Sequence, residues 1–262
     1  LAIQQDGQTE AISHTGRSGA LPWIGKGEYR TTFNIPADTK YTELYFDGAM
    51  SEPVVYVNGY EAGKWMYVYN AFRLDISAFV KPGQNEVRVV LNNQEESSRW
   101  YPGAGLYRPV TLITAGEAHI DPWSTVFKTL SLSGNNAKLY VETQASTAKG
   151  KGETRLVARL LDDKGKAVAQ KNLTTNTQGA ASAQFDVANA KAWSPEQPHL
   201  YTLEINLYQG NKLVDRLRQR VGIRTIAVSK EHGFQLNGVS RKFKGVCLHH
   251  DLGPLGAAVN KA

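Results

Sequence analysis

The sequence contains a single cysteine, Cys247, among 262 residues, so no intramolecular disulfide framework can form. Cys247 stands between Val246 and Leu248, and no histidine is spaced to activate it. We therefore expect a buried structural thiol rather than a nucleophile. Long apolar runs are also lacking, which excludes a membrane-spanning helix. Neither a signal peptide nor a transit peptide is visible. Leu1 is not a start residue, however, so we expect that the beginning of the sequence has been trimmed. The lack of a signal therefore does not decide the cellular compartment.

Clustered charge of one sign is the next thing that the sequence lacks. The formal net charge is +6, but the basic residues are spread along the chain. The densest run, 216–224, alternates with apolar residues, which predicts one solvated face of a strand. No nucleic-acid-binding signature accompanies the charge, so we expect no nucleic-acid partner.

The first part of the sequence, 1–117, has no sustained helical period and is built of short alternating segments. Asn58-Gly59 is a strong signal for a two-residue hairpin, because both central positions of that turn need positive φ. The candidate strands are 29–35, 43–47, 54–57 and 86–91. These patterns predict an antiparallel sandwich of the jelly-roll type.

A second β region, 118–228, has six or seven short candidate strands in about a hundred residues, which fits an immunoglobulin-like sandwich. The strands are 138–144, 155–161, 183–187, 200–208 and 213–221, with hairpin turns at 162–165 and 209–211. The Cys-Trp-Cys pattern of antibody domains is absent, so the expectation concerns architecture alone.

The last part, 229–262, differs in character from both sandwiches. A short hairpin at 234–238 precedes 242–248, which we expect to form a buried strand. The stretch 251–262 is rich in glycine and alanine and leads toward a helix that is not completed. A strand followed by the start of a helix predicts an unfinished βα unit. We expect residues after Lys242 to be mobile or paired with another molecule.

Segments from both sandwiches and from the last part together resemble glycoside hydrolase family 2, and β-galactosidase-like members most closely. They are GEYRTTF at 27–33, VNG at 57–59, RWYPGAGLYR at 99–108, WSPEQPHLY at 193–201 and GVCLHHD at 245–251. The resemblance implies a jelly-roll sugar-binding domain, an immunoglobulin-like domain and the first strand of a (β/α)₈ barrel. β-Glucuronidases and β-mannosidases share this layout.

The resemblance also implies where the catalytic groups lie. Retaining glycoside hydrolysis needs two carboxyl groups about 5–5.5 Å apart, and in this family both are glutamates on later barrel strands. The pair is therefore expected beyond Ala262, so that this chain alone is inactive. The parent protein would hydrolyse terminal β-glycosides. No cofactor and no metal are predicted in this chain, and a periplasmic or secreted location is an implication of the resemblance only.

Arg99, Trp100 and Tyr101 are the first candidate substrate-binding residues. Aromatic rings pack well against the C–H faces of sugars, and an arginine fork can bind their hydroxyl groups. The resemblance implies that this loop reaches toward the barrel and helps close its pocket. The alternative is that the two rings pack inside the module. The adjacent Glu95-Glu96 pair is expected to be solvated.

His249 and Asp251 are the second set of candidates. They share one face if the strand continues through them, and the resemblance implies that His249 contacts the sugar. A metal site would need further ligands from elsewhere, and a polar strand end with satisfied hydrogen bonds is the remaining alternative. The segment 193–201, by contrast, is expected to be structural, because its prolines fix an extended path into the next strand.

Two other functions are compatible with the same residues. A free-standing carbohydrate-binding module could share the jelly roll, since fold alone does not decide function, but it has no need of 242–262. An adhesion or scaffold protein would repeat one module, and no repeat is detectable. The partner expected is a carbohydrate substrate, without a membrane span, and an oligomer of the full-length enzyme is left open.

Overall fold

The computed structural model describes residues 25–67, 69–94, 104–146, 154–175 and 180–247. All regular secondary structure in these ranges is β-strand, and every named strand pair is antiparallel, which confirms the all-β prediction. In the described part of the chain, no helix is long and apolar enough to span a membrane. Two compact units are present, one comprising the described residues up to Ala115 together with Val246 and Cys247, and the other running over Gly116–Gly245.

The first unit is a sandwich of two sheets with strand orders β1-β6-β3-β4 and β5-β2-β7. In β6, every second side chain from Asn85 to Asn93 is buried, as the two-residue period of a strand requires. Its core contains an aromatic stack in which the rings of Phe46 and Trp65 lie 4.6 and 5.4 Å from that of Phe72. The strands are β1 Gly25–Ile35, β2 Tyr41–Phe46, β3 Val54–Val57, β4 Tyr60–Lys64, β5 Phe72–Asp75, β6 Gly83–Asn93 and β7 Val110–Ala115.

The predicted hairpin at Asn58-Gly59 is confirmed. Both residues have positive φ, +50° and +87°, and they join β3 to β4 with Val57 opposite Tyr60. The Asn58 side chain also binds beyond its own turn. Its amide donates to the carbonyl of Phe79 at 2.8 Å, and its carbonyl accepts from the backbone N–H of Glu86 at 3.0 Å.

The second unit is also a two-sheet sandwich, in agreement with the predicted immunoglobulin-like architecture. One sheet has the order β13-β14-β10-β8 with β9 also paired to β10, and the other has the order β12-β11-β15-β16. Its core is largely aliphatic, with Leu139, Leu160, Leu203, Ile205 and Leu207 fully buried. The strands are β8 His119–Ile120, β9 Val126–Ser133, β10 Asn136–Ser146, β11 Thr154–Leu161, β12 Ala167–Asn172, β13 Thr174–Thr175, β14 Ala180–Val187, β15 Tyr201–Gln209 and β16 Lys212–Val221.

The basic run 216–224 that was predicted to lie on a strand does so as far as Val221, the last residue of β16, whereas Arg224 lies beyond that strand; Arg216, Arg218 and Arg220 are exposed and Val221 is buried. A small third sheet follows, formed by β17 Ile226–Ser229, β18 Gly233–Leu236 and β19 Val239–Ser240. It contains the expected hairpin. The division of the chain into 1–117, 118–228 and 229–262 stays a prediction.

The expected buried strand over 242–248 was wrong for the residues that the structure describes. Residues 241–247 form no strand, and Val246 is 92% exposed. Cys247 is exposed as well, which corrects the prediction of a buried thiol. An apolar sequence becomes a buried strand only where neighbouring strands accept its backbone hydrogen bonds. The described residues offer this segment none.

Candidate functional site

All residues predicted from the sequence to bind substrate lie outside the described ranges. Arg99, Trp100 and Tyr101 belong to 95–103, together with the Glu95-Glu96 pair, and His249 and Asp251 belong to 248–262. The structure therefore brings none of these five substrate-binding candidates together. What it does describe is the surface from which the 95–103 segment starts and to which it returns.

Described residues on either side of 95–103, Asn92 and Gly105, are hydrogen-bonded to one short stretch of backbone. Met50 and Gly105 exchange two bonds, of 2.9 Å from the Met50 N–H and 2.7 Å from the Gly105 N–H. On the other side of the segment, the Asn92 N–H donates to the carbonyl of Ser51 at 2.8 Å. The stretch around Met50 and Ser51 thus holds Asn92 and Gly105 at one end of the first unit.

Glu52 follows directly in this stretch and has a positive φ of 48°. Its carboxylate accepts hydrogen bonds from the side-chain amides of Asn92 at 3.0 Å and Gln94 at 2.7 Å. These two bonds hold the pKa of Glu52 below its ordinary value, because they stabilise the charged form. Glu52 is therefore a fixed anionic acceptor beside the 95–103 segment.

Three tyrosines lie on segments bonded to the same stretch, since the Trp65 N–H donates to the Pro53 carbonyl at 3.0 Å and the Tyr107 N–H donates to the Gly105 carbonyl at 3.1 Å. Tyr67 is 59% exposed and meets Tyr69 edge to face at 6.1 Å. Tyr107 lies against Gly48 so closely that a Cβ on this glycine would be 2.5 Å from the tyrosine hydroxyl. Burial raises the pKa values of Tyr69 and Tyr107, which keeps both phenols neutral and able to donate.

A cation completes this group, which we call the loop-end site and define as Glu52, Tyr67, Tyr69, Tyr107 and Arg108. The Arg108 guanidinium lies 5.2 Å from the centre of the Tyr107 ring and donates to a backbone carbonyl at 3.4 Å. An exposed ring, neutral phenols, a carboxylate and a guanidinium are groups that bind sugar hydroxyls and C–H faces.

The loop-end site is suited to binding rather than to hydrolysis. A general acid of a glycosidase needs a raised pKa, whereas the pKa of Glu52 is lowered. Sequence reasoning missed Glu52 and the tyrosines Tyr67 and Tyr69. The aromatic-dense run at 65–69, between a hairpin and a strand, was a signal that could have revealed the tyrosines. No comparable signal marked Glu52, because its hydrogen-bond partners, Asn92 and Gln94, lie far from it in the sequence.

The segment 193–201 makes structural contacts in the second unit. The Trp193 N–H donates to the Ile223 carbonyl at 2.8 Å, and its own carbonyl accepts from the Asn237 amide at 3.0 Å. Glu196 forms a two-pronged ion pair with Arg241, of 2.5 and 3.0 Å. This arginine lowers the Glu196 pKa to about 2. These bonds join the segment to the residues that follow β16, in keeping with the structural role expected for it.

A buried carboxylate in the second unit, Glu204 on β15, belongs to a different kind of cluster. It is 1% exposed and accepts from Arg159 at 2.9 Å and from Arg218 at 2.7 Å, with Arg216 3.9 Å away. Although burial opposes ionisation, the bonds from Arg218, Asn206 and Arg159 outweigh it and lower the Glu204 pKa. A carboxylate held in this way is a structural anion.

A search of the described residues for three or more His, Cys, Asp or Glu placed to hold a metal ion found no such group.

Comparison with known protein families matches both units. The family model described as glycosyl hydrolase 2 galactose-binding domain-like matches residues 10–102. The model described as glycosyl hydrolases family 2 matches residues 118–224.

Curated relatives include a β-galactosidase, BoGH2A, from Bacteroides ovatus and a putative β-glucuronidase from Formosa agariphila. The former is 37% identical to this chain, covering 99% of the chain and 31% of the relative. The latter is 36% identical, covering 94% of this chain and 24% of that relative. This chain thus spans about a third or less of the length of these relatives.

Solved structures give the same relationship. A glycosyl hydrolase family 2 member from Bacteroides cellulosilyticus superposes with a TM-score of 0.84 at 33% identity, over 94% of this chain and 33% of that one. A β-glycosidase from Bacteroides vulgatus superposes with a TM-score of 0.83 at 30% identity, over 95% of this chain and 33% of that one.

Proposed function

We propose, from the premise that this chain belongs to glycosyl hydrolase family 2, that it is the non-catalytic front part of a retaining β-galactosidase. In this role the first unit would contribute sugar contacts and the second would be a spacer module that precedes the catalytic barrel in the sequence. The observation that carries the proposal is the pairing of two family matches, in the family's order, with coverage of about a third of each relative.

The proposal places the sugar contacts of this chain at one end of the first unit. Arg99, Trp100 and Tyr101 follow Gln94, whose side-chain amide binds Glu52, and precede Gly105, which is bonded to Met50. Tyr67 presents an exposed ring at the same end. Residues of the loop-end site would thus line the approach to a pocket whose acid and nucleophile lie beyond Ala262. His249 and Asp251 would contact the sugar from the barrel side.

A β-glucuronidase is the second candidate. A relative described as a putative β-glucuronidase is nearly as similar to this chain as the β-galactosidase is, at 36% against 37% identity. A glucuronide differs from a galactoside by a carboxylate, which would need a cation such as Arg99 or Arg108. The anionic Glu52 close to the loop favours a neutral sugar.

The first test compares this chain with the full-length gene product on nitrophenyl β-galactoside, β-glucuronide and β-mannoside. We expect turnover of the galactoside by the full-length protein and none of the three by this chain. Turnover by the repurified chain would overturn the proposal that its residues are non-catalytic. Faster turnover of the glucuronide than of the galactoside by the full-length protein would replace the β-galactosidase assignment by the second candidate.

The second test concerns the sugar contacts. Trp100→Ala and Tyr67→Ala in the full-length protein should each lower kcat/KM for the galactoside about tenfold, the effect of losing one ring that stacks on the substrate. Tyr60→Ala is the matched control, because Tyr60 is 69% exposed on β4. Equal effects of all three substitutions would contradict the placement of the site.

A further inference from the structure

The second unit contains an open groove that the proposed function does not use. It measures about 850 Å³ and runs between β9 and the end of β16. Its lining includes three cations, Lys128, Arg220 and Arg224, and no aspartate or glutamate. Arg224 also closes one end of the groove, since its N–H donates to the Thr129 hydroxyl at 3.2 Å.

The three cations differ from Arg159, Arg218 and Arg241 of the same unit in having no carboxylate to neutralise them. Arg159 and Arg218 share Glu204, and Arg241 pairs with Glu196. Across the part of the chain that the structure describes, Lys128, Arg220 and Arg224 form no ion pair with an acid. The Arg224 guanidinium instead lies over the Trp193 ring at 4.9 Å. A groove with three unpaired cations attracts negative charge.

Apolar side chains lie among these cations. Leu130 is 45% exposed, Leu200 is 36% exposed and Ile226 is 58% exposed, and all three line the groove. The only aromatic side chain of the lining, Phe127, is half-buried. Sugars are usually held by exposed aromatic rings, whereas exposed Leu and Ile are typical of protein interfaces. The groove therefore fits a polypeptide better than a carbohydrate.

The walls of the groove are strand edges. β16 is the last strand of its sheet, and β9 pairs with β10 alone. An edge strand presents N–H and C=O groups that can pair with a further extended chain. Peptides bind many proteins by adding a strand to such an edge, with alternate side chains facing the protein surface.

We propose that this groove is the docking site for an extended polypeptide segment in which acidic and apolar side chains alternate. Its backbone pairs with the edge of β9 or β16. Its acidic side chains bind Lys128, Arg220 and Arg224, and its apolar side chains cover Leu130 and Ile226. The segment comes from the part of the parent polypeptide that this chain lacks. This source rests on the proposed function and on the relatives, which are about three times as long as the chain.

Hydrogen exchange tests the proposal directly. The backbone N–H groups of β9 and β16 are compared in this chain alone and in the full-length gene product. We expect exchange at the groove edges to be about tenfold or more slower in the full-length protein, because pairing protects them. β12, which is also an edge strand of this unit, is the internal reference and should exchange equally in both. Equal exchange of the groove edges in the two proteins would overturn the proposal.

Charge reversal identifies the chemistry of the contact. K128E, R220E and R224E are combined in the full-length protein, and the matched control combines K164E, K166E and K191E, which are exposed lysines of the same unit outside β9, β12 and β16. The groove variant should lose the protection of β9 and β16, while the control keeps it. Retention of protection in the groove variant would overturn the role of the cations. Unfolding midpoints of the two variants verify that both are folded.

Two probes distinguish the occupant. This chain is titrated with a synthetic peptide of alternating glutamate and valine and, separately, with oligogalacturonate, an acidic carbohydrate. Resonance shifts confined to β9 and β16 with the peptide, weakening as salt is added, would support the proposal. Shifts with oligogalacturonate alone, or a concentration-dependent dimer of this chain that covers the same edges, would refute it. Glycosidase activity of the full-length protein is measured on the same samples. A failure of the docking proposal can then be distinguished from a failure of the proposed function.

Discussion

The two units are built on the same plan, a pair of antiparallel sheets around one core, but they differ in charge and in where their polar groups lie. Residues 1–115 hold 10 lysines and arginines against 12 aspartates and glutamates, whereas residues 116–245 hold 19 against 11. The positive charge of the chain therefore belongs to the second unit. In the first unit the candidate binding groups lie on loops at one end. In the second they lie on sheet faces and strand edges.

The cores differ in the same way. The first unit stacks Trp65, Phe72 and Phe46 on one another, while the second packs aliphatic side chains from β10, β11 and β15. Loops held on a rigid sandwich are the usual location of binding residues, and a charged sheet face is a usual location for a contact between proteins. The comparison teaches that one architecture can present its polar groups on loops at one end or on sheet faces and strand edges, and the two proposals follow this difference.

Substitutions that truncate a core side chain in each unit should have the largest effect on the free energy of unfolding. Phe46→Ala removes a fully buried ring and should lower the free energy of unfolding of the first unit by about 3–5 kcal/mol. Leu203→Ala should lower that of the second unit by about 2–5 kcal/mol. Calorimetry, with tryptophan fluorescence as a second probe, should show one transition shifting in each variant. A common shift of both transitions would show that the two units unfold as one.

Removing the buried anion of the second unit should have the next largest effect. Glu204→Ala leaves Arg159 and Arg218 without their shared partner and should cost about 2–3 kcal/mol, less than for a fully buried pair because both arginines reach water. Urea unfolding measures the loss. Glu204→Gln keeps the shape and some of the hydrogen bonds, so its loss should be smaller. Unchanged stability of the alanine variant would mean that the cluster makes no net contribution to the stability of the fold.

Each unit also contains an Asn-Gly turn with a bonded asparagine, which permits a matched comparison. Asn58 and Asn237 both have φ near +50°, a conformation that alanine adopts at a cost of about 1–2 kcal/mol. Asn58→Ala should lower the stability of the fold more than Asn237→Ala does. The Asn58 side chain makes three hydrogen bonds, whereas the Asn237 side chain makes two. Asn→Gly at each position removes the side-chain bonds alone. Equal losses in thermal unfolding would contradict the ranking.

The pH dependence of the Glu196–Arg241 ion pair should be the smallest effect. The folded pKa of Glu196 is about 2, below its ordinary value of 4.5. The pair therefore stabilises the fold fully above pH 4.5, and this contribution disappears as the pH falls toward 2. Glu196→Gln should be less stable than the natural protein at pH 6, and the difference should shrink as the pH falls to 2 and vanish below it, in unfolding midpoints at low salt. A difference that does not change with pH would contradict this.

Several elements could be predicted from local patterns. The alternation in β6 and β16 and the turn at Asn58-Gly59 were predicted, because a strand's period and a turn's φ values are properties of neighbouring residues. β9 and β12 were missed. The sequence of β12, AVAQKN, has little strand preference, and it is a strand because β11 offers its edge. β9 likewise depends on pairing with β10, with an irregular register at Lys138.

By itself the sequence determined the all-β class, the two sandwiches and the family resemblance, since all three rest on residues close together in the chain. Only the tertiary structure decided that Glu52 is held by amides from β6, that three arginines surround Glu204, and that Val246 and Cys247 are exposed. Burial and ionisation are set by which distant strands come together. A local pattern specifies that a segment can pair or pack, but not whether a neighbour is present to receive it.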